Sequence, residues 1–303
     1  MKASGKRIAI CVGIFGLMAI NGAFYPVYSQ SSDKVKVFIK ASPAKKSAWD
    51  IFIKDYRTGK ATKFITTTDV NEGHYHPAEY HHGHLYVIRV PGGEDAYQTN
   101  PNWTSELWRY GRNGMGTKLW SSKGIDFRVR DDEGMIAILS GSKQGPENAL
   151  YLVDRDGKPI KTFQLQQVVS TDMRFKKWDG RFLWLADEAT MTISGFVRID
   201  TGSMAIKKYD VSQLGLSDED YSLNTTSLRL AYSDYPPMVD IGLAEDFEKA
   251  RTPVKLYIYD LTTKHRTFMA RAIAKPFNPK WVSSSMLEYD NPRGKGRIQK
   301  RIR

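Results

Sequence analysis

A short phrase recurs five times along this chain of 303 residues. Each copy is an alternating apolar strand that ends on Asp or Gly, then a polar turn, then an aromatic residue or Met nine positions after that Asp or Gly. The pairs are Asp55 with Phe64, Gly111 with Trp120, Asp154 with Phe163, Asp200 with Tyr209 and Asp260 with Met269. Because one unit of this size cannot bury its own apolar face, we expect the copies to pack against one another as a repeat protein.

Each phrase is followed by two more short segments with apolar residues at alternate positions, the pattern of half-buried strands. Successive copies from Gly111 to Asp200 are 43 and 46 residues apart. Four antiparallel strands at this spacing predict an all-β fold, a β-propeller of five four-stranded blades, or of six if residues 297–302 form a further strand. The first copy begins at residues 35–40 without an innermost strand, so we expect both chain ends to complete one shared blade.

The stretch LYLVDRDGKPIKTF, followed by TDMRFKKWDGRFLWLA, resembles the repeat of TolB-like and related WD40-like β-propellers. The resemblance extends over the mature chain and implies the propeller fold. Only the third unit keeps the turn Trp178-Asp179-Gly180 of that pattern. Such propellers serve as binding platforms, as non-catalytic domains of peptidases and as enzymes, so the resemblance implies no single function.

The N-terminus has the pattern of a secretory signal peptide, which we place at residues 1–29. Lys2, Lys6 and Arg7 precede an apolar run at residues 8–20, and small residues follow at 27–29. This run is shorter than the ~20 residues that cross a bilayer, which favours cleavage before Gln30. We therefore expect a secreted or extracytoplasmic protein of the periplasm or cell envelope. The single cysteine lies in this segment, so residues 32–303 are expected to form one monomeric propeller domain without disulfides.

The net charge of +12 is concentrated at the two ends of the chain. Three positive charges lie in the signal segment and six in the tail at residues 293–303, which leaves +3 for the rest. This distribution excludes a global nucleic-acid footprint. Two interpretations of the basic tail stay open, a solvated and frayed terminus or a contact with an anionic lipid or polymer of the envelope.

Two insertions account for the longer spacings between copies, at residues 91–104 and 234–253. Loops of this length are typical of variable or functional surface. Within the second, residues 244–250 have the composition of one or two helical turns. Within the first, Tyr97 and Trp103 are candidates for ligand contact.

Five of the six histidines fall at residues 74–84. Residues two apart on a strand point to one side, so His74 and His76 form one candidate pair, and His82 and His84 form another across a turn. With Glu79 as an oxygen ligand, this set suits Zn, Ni or Cu. The alternative is a solvated loop or ligand-facing surface.

A second constellation is visible when the copies are aligned. Asp126, Asp172 and Asp220 each stand one residue before a predicted innermost strand, and His76 and Lys275 stand near the equivalent positions in the first and last copies. Propeller symmetry predicts that these residues surround one mouth of the central channel, with Arg128 and Arg174 below them. The alternative is that each Asp accepts backbone N–H bonds in the loop that enters its strand.

The sequence favours an exported, non-catalytic propeller that binds or scaffolds a protein or a cell-envelope polymer and needs no cofactor. It contains no G-x-S-x-G elbow, P-loop or His-Glu-x-x-His motif. Two alternatives stay open. One is a carbohydrate-active glycosidase or lyase that uses the three aspartates at the channel mouth. The other is a metal-binding protein that uses residues 74–84.

Overall fold

A computed structural model describes residues 35–43, 49–67, 78–91, 104–140, 149–164, 172–189, 192–236 and 241–302. Within these ranges the chain forms antiparallel sheets that connect neighbouring strands in chain order. The chain divides into two compact units, residues 1–162 and 163–303. The part of the chain that is described holds no helix with the length and hydropathy of a membrane span.

The first unit contains a three-stranded sheet and two four-stranded sheets, and the last strand reaches two residues into the second unit. The three-stranded sheet comprises β1 (Val35–Ala41), β2 (Trp49–Asp55) and β3 (Ala61–Thr67). The next sheet comprises β4 (Ala78–His81), β5 (His84–Arg89), β6 (Ser105–Tyr110) and β7 (Gly116–Ser122). The third comprises β8 (Ile125–Val129), β9 (Ile136–Ser140), β10 (Ala149–Val153) and β11 (Pro159–Gln164).

The second unit repeats this arrangement and ends with another three-stranded sheet. Its first sheet comprises β12 (Asp172–Asp179), β13 (Phe182–Ala189), β14 (Thr192–Asp200) and β15 (Ala205–Asp210), with β16 (Leu216–Ser217) paired to β14. Its second comprises β17 (Tyr221–Asn224), β18 (Arg229–Ser233), β19 (Pro253–Asp260) and β20 (Arg266–Ile273). Its third comprises β21 (Lys280–Trp281), β22 (Met286–Asp290) and β23 (Arg297–Arg301). A helix, α1 (Ile241–Lys249), lies in the connection between β18 and β19.

Four of the five copies of the repeated phrase form the third and fourth strands of the four-stranded sheets, and the first copy forms β2 and β3. In the four copies that contain the Asp, it lies at the turn between these two strands. The Oδ1 atom of Asp154 accepts the N–H groups of Asp156 and Lys158, both at 2.9 Å. Asp260 Oδ1 accepts those of Thr262 and Thr263, both at 2.8 Å. These turn acids are therefore satisfied by local backbone, as Asp side chains in turns commonly are.

Each unit buries its apolar side chains between neighbouring sheets. In the first unit, Tyr86, Leu107 and Phe127 belong to one cluster of fully buried residues drawn from β5, β6 and β8. In the second, Trp184 and Phe196 of one sheet pack with Tyr232 of the next. The alternation predicted from the sequence thus gives sheets whose apolar residues need a neighbouring sheet, the defining property of a repeat fold.

Strand pairing at the chain ends differs from the predicted shared blade. The first described strands form the sheet β1–β3, and the last form the sheet β21–β23, in which Arg297–Arg301 supplies the third strand. This segment of the basic tail is therefore a paired strand and not a frayed end. The number of blades stays a prediction. The predicted helix at residues 244–250 forms and is longer, at Ile241–Lys249.

Candidate functional site

A group of charged side chains in the second unit surrounds Lys176 on β12. A register shift between Phe175 and Lys177 leaves Lys176 as the extra residue of a β-bulge. A bulge redirects a side chain out of the regular alternation, and bulges are frequent near functional sites. Lys176 Nζ donates a hydrogen bond to Glu188 Oε1. We call Arg174, Lys176, Glu188, Asp218 and Tyr221 the Lys176 cluster.

Glu188 is held between two cations. Its side chain is only 15% exposed, Lys176 contacts one carboxylate oxygen, and Arg174 Nε lies 3.8 Å from the other. Lys176 Nζ also lies 5.4 Å from the centre of the Tyr221 ring. Burial works against the charged form of Lys176, but Tyr221 and Glu188 outweigh it and raise the pKa of the ammonium group. The positive charge on Lys176 is therefore a fixed part of the cluster at neutral pH.

Asp218 is the member of the cluster with unused hydrogen-bonding capacity. It lies in the connection between β16 and β17, and its Oδ1 atom is buried without a hydrogen-bond partner among the described residues. Burial raises the pKa of the Asp218 carboxyl, and the negative charge of Glu188 raises it further. A buried acceptor of this kind is expensive to leave unpaired, so it is suited to an N–H or O–H group of a ligand.

Asp218 gives the site a predictable pH dependence. Its raised pKa means that the folded protein holds this proton more tightly than the unfolded chain, so its contribution to stability falls as the pH rises through the folded pKa. We expect Asp218→Asn to be more stable than the wild type near pH 7, with the difference shrinking towards pH 4, in urea unfolding measured at several pH values.

Asp210→Asn serves as the control, because the pKa of Asp210 is shifted in the opposite direction to that of Asp218. Bonds from the Ser212 hydroxyl and N–H lower the pKa of Asp210, so its stabilisation is present at neutral pH and is lost as the pH falls. The variant should be less stable than the wild type near pH 7. The same pH trend in both variants would contradict the assignment for Asp218.

Asp220 is held by hydrogen bonds within the fold. Its side chain is buried, and Oδ2 accepts bonds from the Ser233 hydroxyl and from Phe277 N–H, the latter at 2.9 Å. Oδ1 accepts from Asn278 N–H at 2.6 Å. Burial raises the pKa of this carboxyl despite these bonds. Asp220 thus connects the sheet β17–β20 to the segment that enters the last sheet, and its backbone donors lie in that segment and not in the loop before β17 where the backbone-acceptor alternative places them.

Asp126 and Arg128 lie together in the first unit. Asp126 Oδ1 accepts from Phe127 N–H at 2.8 Å and lies 3.7 Å from Arg128 Nη1. Arg128 Nη1 also lies 3.3 Å from Glu79 Oε1. Arg128 therefore lies beside Asp126, but its more buried partner is Glu79, whose side chain is 1% exposed.

Glu79, His82 and His84 each contact different partners and do not converge on one metal site. Its Oε2 atom accepts from Val129 N–H at 2.8 Å and lies 3.1 Å from His81 Nε2. His82 Nε2 lies 2.7 Å from the Asp131 carbonyl oxygen. His84 Nδ1 lies 3.1 Å from Glu133 Oε1, which also accepts from the Tyr86 hydroxyl. Within the described residues no three His, Cys, Asp or Glu side chains are grouped to hold a metal ion.

Some of the remaining predicted site residues lie within the described part of the chain, and the others lie outside it. Lys275 Nζ donates to the Asn291 carbonyl at 2.6 Å, and Arg174 contacts Glu188. Asp172 begins β12 opposite Glu188, but its side chain is not described. Outside the described residues lie His74, His76, Tyr97 and Trp103.

Sequence reasoning missed four members of the Lys176 cluster: Lys176, Glu188, Asp218 and Tyr221. A signal existed for two of them. Lys176 is a charged residue directly after the predicted strand segment at 173–175, and Asp218 belongs to the acidic run 218–220 directly before the next innermost strand. The bulge that turns Lys176 towards Glu188 has no comparable sequence mark.

No family model matches the chain. No curated protein matches it in sequence. Solved structures do match it. An oligogalacturonate lyase from Vibrio parahaemolyticus is 11% identical with a TM-score of 0.52, over 87% of this chain and 73% of that one. The β-propeller domain of the Trilobed protease from Pyrococcus furiosus is 11% identical with a TM-score of 0.49, over 86% and 76%. TolB from Acinetobacter baumannii is 11% identical with a TM-score of 0.47, over 88% and 63%.

At these identities the similarity is one of fold. The chain is an all-β protein with the β-propeller fold. The fold class predicted from the repeated phrase is confirmed.

Proposed function

We propose that the protein is an exported, non-catalytic β-propeller that binds or scaffolds a protein or a cell-envelope polymer, and that the Lys176 cluster contacts this ligand. The observation that carries the proposal is the unpaired, buried Oδ1 atom of Asp218 beside the paired charges of Lys176 and Glu188. The ion pair between Lys176 and Glu188 keeps this surface rigid, and the unused acceptor on Asp218 offers a ligand one directional hydrogen bond.

The state of the candidate carboxylates supports binding more than catalysis. Asp220 is saturated by three donors, and Asp126 is bonded to its own strand and lies beside Arg128. Glycoside cleavage needs two acids that act on one bond, one of them free to transfer a proton. Neither of these two aspartates has that freedom, which leaves the carbohydrate-active alternative with less support.

Binding is tested with purified envelope proteins and envelope polysaccharides immobilised as separate probes. We expect wild-type protein to be retained by one class of probe, and Asp218→Ala and Tyr221→Phe to bind it about tenfold more weakly, the loss of one buried hydrogen bond. Asp246→Asn on α1 is the control, because that side chain is 80% exposed and outside the cluster.

Two outcomes would contradict this function. One is retention of the wild type by neither class of probe. The other is cleavage of a polysaccharide by the wild type that Asp218→Asn abolishes, which would assign an enzyme. The location is tested separately, by cell fractionation and by sequencing the N-terminus, for which we expect Gln30.

A further inference from the structure

In the part of the chain that the structure describes, the last sheet has three strands, whereas the other sheets of the second unit have a fourth strand on their outer side. In the four-stranded sheets of the second unit, the third strands β14 and β19 are paired on their outer side with β15 and β20. In the last sheet the third strand is β23, and within the described part of the chain it pairs with β22 alone. Among the described residues, the other side of β23 is therefore a sheet edge without a partner strand.

The backbone groups that face this open edge can be identified from the register. Asn291 N–H donates to the Gly296 carbonyl at 3.0 Å, and Ile302 N–H donates to the Ser285 carbonyl at 2.8 Å. Hydrogen-bonded pairs alternate along an antiparallel ladder, so the even-numbered residues of β23 bond to β22. The N–H and C=O groups of Arg297, Gln299 and Arg301 consequently point away from β22. We call these six groups the β23 edge.

Exposure distinguishes β23 from the other third strands. In β10 every residue is buried except one that is half-buried, whereas in β23 every residue is exposed except Ile298. In the complete sheets a side chain from the fourth strand contributes to this burial, for example Leu119 from β7 and Tyr209 from β15. The described strands of the last sheet correspond to the first three strands of a complete sheet.

The charges along β23 define the kind of strand that fits there. Arg297 is paired with Glu288 at 2.6 Å and with Asp290 at 2.8 Å. Lys300 and Arg301 have no ion-pair partner among the described residues. Basic residues on an edge strand oppose pairing with a second copy of the same strand, because like charges would face each other. The same charges attract a strand that carries carboxylates.

We propose that the β23 edge receives an extended, acidic segment of another protein as its fourth strand. Main-chain hydrogen bonds to Arg297, Gln299 and Arg301 would provide the affinity, and carboxylates beside Lys300 and Arg301 the specificity. An apolar residue in the segment would take the place that Leu119 and Tyr209 occupy in complete sheets. This interaction surface is separate from the Lys176 cluster and does not depend on the function proposed for it.

The test uses the full chain and a fluorescein-labelled peptide of about nine residues in which Val alternates with Glu, a length typical of a long strand. We expect the peptide to bind in fluorescence anisotropy and to slow amide hydrogen exchange at Arg297, Gln299 and Arg301. A matched peptide with Lys in place of Glu should bind at least about tenfold more weakly. The double variant Lys300→Glu with Arg301→Glu should reverse this preference.

Gln299→Pro separates edge pairing from simple charge attraction. It removes one N–H that points away from β22 and leaves the β22 ladder intact, because proline is tolerated at a strand edge. We expect about tenfold weaker binding of the acidic peptide, with Gln299→Ala unchanged. Urea unfolding of both variants checks that they fold, and slowed amide exchange in the wild type tests the same contact without a substitution.

Three results would overturn the proposal. The first is no binding of the acidic peptide up to about 1 mM, the weak end of specific association. The second is wild-type affinity in a folded Gln299→Pro variant, or unchanged amide exchange in the wild type. The third is binding to phosphatidylglycerol vesicles that the charge reversal abolishes and Gln299→Pro does not change, which would assign a basic membrane-facing surface.

Discussion

Replacing Asp220 with Ala should lower the free energy of unfolding by about 3 to 5 kcal/mol, because it leaves three donors, two of them in buried bonds, without an acceptor. These donors are the Ser233 hydroxyl and the N–H groups of Phe277 and Asn278. Asn278 has a φ of 45°, in the left-handed region that Asn adopts more often than most non-glycine residues and that local contacts help to fix. Asp220 is one of the contacts that fix it. Urea unfolding followed by tryptophan fluorescence measures the change.

Asp126→Ala is the matched control for this prediction. Asp126 also precedes Phe127 in an innermost strand, but its side chain is 33% exposed and the backbone N–H that it accepts belongs to the adjacent residue. Its replacement should lower the free energy of unfolding by about 1 kcal/mol or less. Equal losses in the two variants would show that the long-range bonds of Asp220 are not what stabilises it. Unchanged stability with lost ligand binding in Asp220→Ala would restore it as a site residue.

The fold was predictable because its signals are local. The repeated phrase combines strand alternation with a turn that Asp closes by bonding to N–H groups two to four residues away, and both features are readable within a dozen residues. The helix α1 was predicted on the same basis. The pairing of β23 with β22 was left open because Arg297–Arg301 is mostly basic and exposed, so alternation of apolar residues is weak there.

The candidate site was less predictable because its contacts are not local. Asp220 was correctly placed at the start of an innermost strand, but its backbone partners lie 57 and 58 residues further along the chain. Lys176 depends on a bulge, and a one-residue irregularity of pairing is set by the whole sheet. Residue spacing therefore indicates which side chains begin equivalent strands, whereas the structure decides which of them are saturated and which keep a free acceptor.

We expect Glu79 to be a structural acid whose removal lowers the free energy of unfolding about as much as the removal of Asp220. Its fully buried carboxylate accepts from Val129 N–H and His81 and lies 3.3 Å from Arg128. Removing one partner from a buried ion pair typically costs about 3 to 5 kcal/mol, so we expect about 3 kcal/mol or more for Glu79→Ala. Glu79→Gln keeps an acceptor for Val129 and should lose less. Urea unfolding of both variants gives these values.

A double-mutant cycle with Glu79→Gln and Arg128→Met isolates the ion pair, and we expect a coupling free energy of about 1 to 3 kcal/mol. Unfolding is repeated with EDTA and with added Zn²⁺, because Glu79 was also a candidate metal ligand. A structural acid predicts the same loss for Glu79→Ala in both conditions. If Zn²⁺ stabilises the wild type and this gain disappears in Glu79→Gln, then the carboxylate binds metal in solution and its contacts with Arg128 and Val129 must give way. The hydrogen bonds that Glu79 Oε2 makes to Val129 and His81, and the ion pair of Oε1 with Arg128, favour the first result, since a ligand carboxylate would have to give up these contacts.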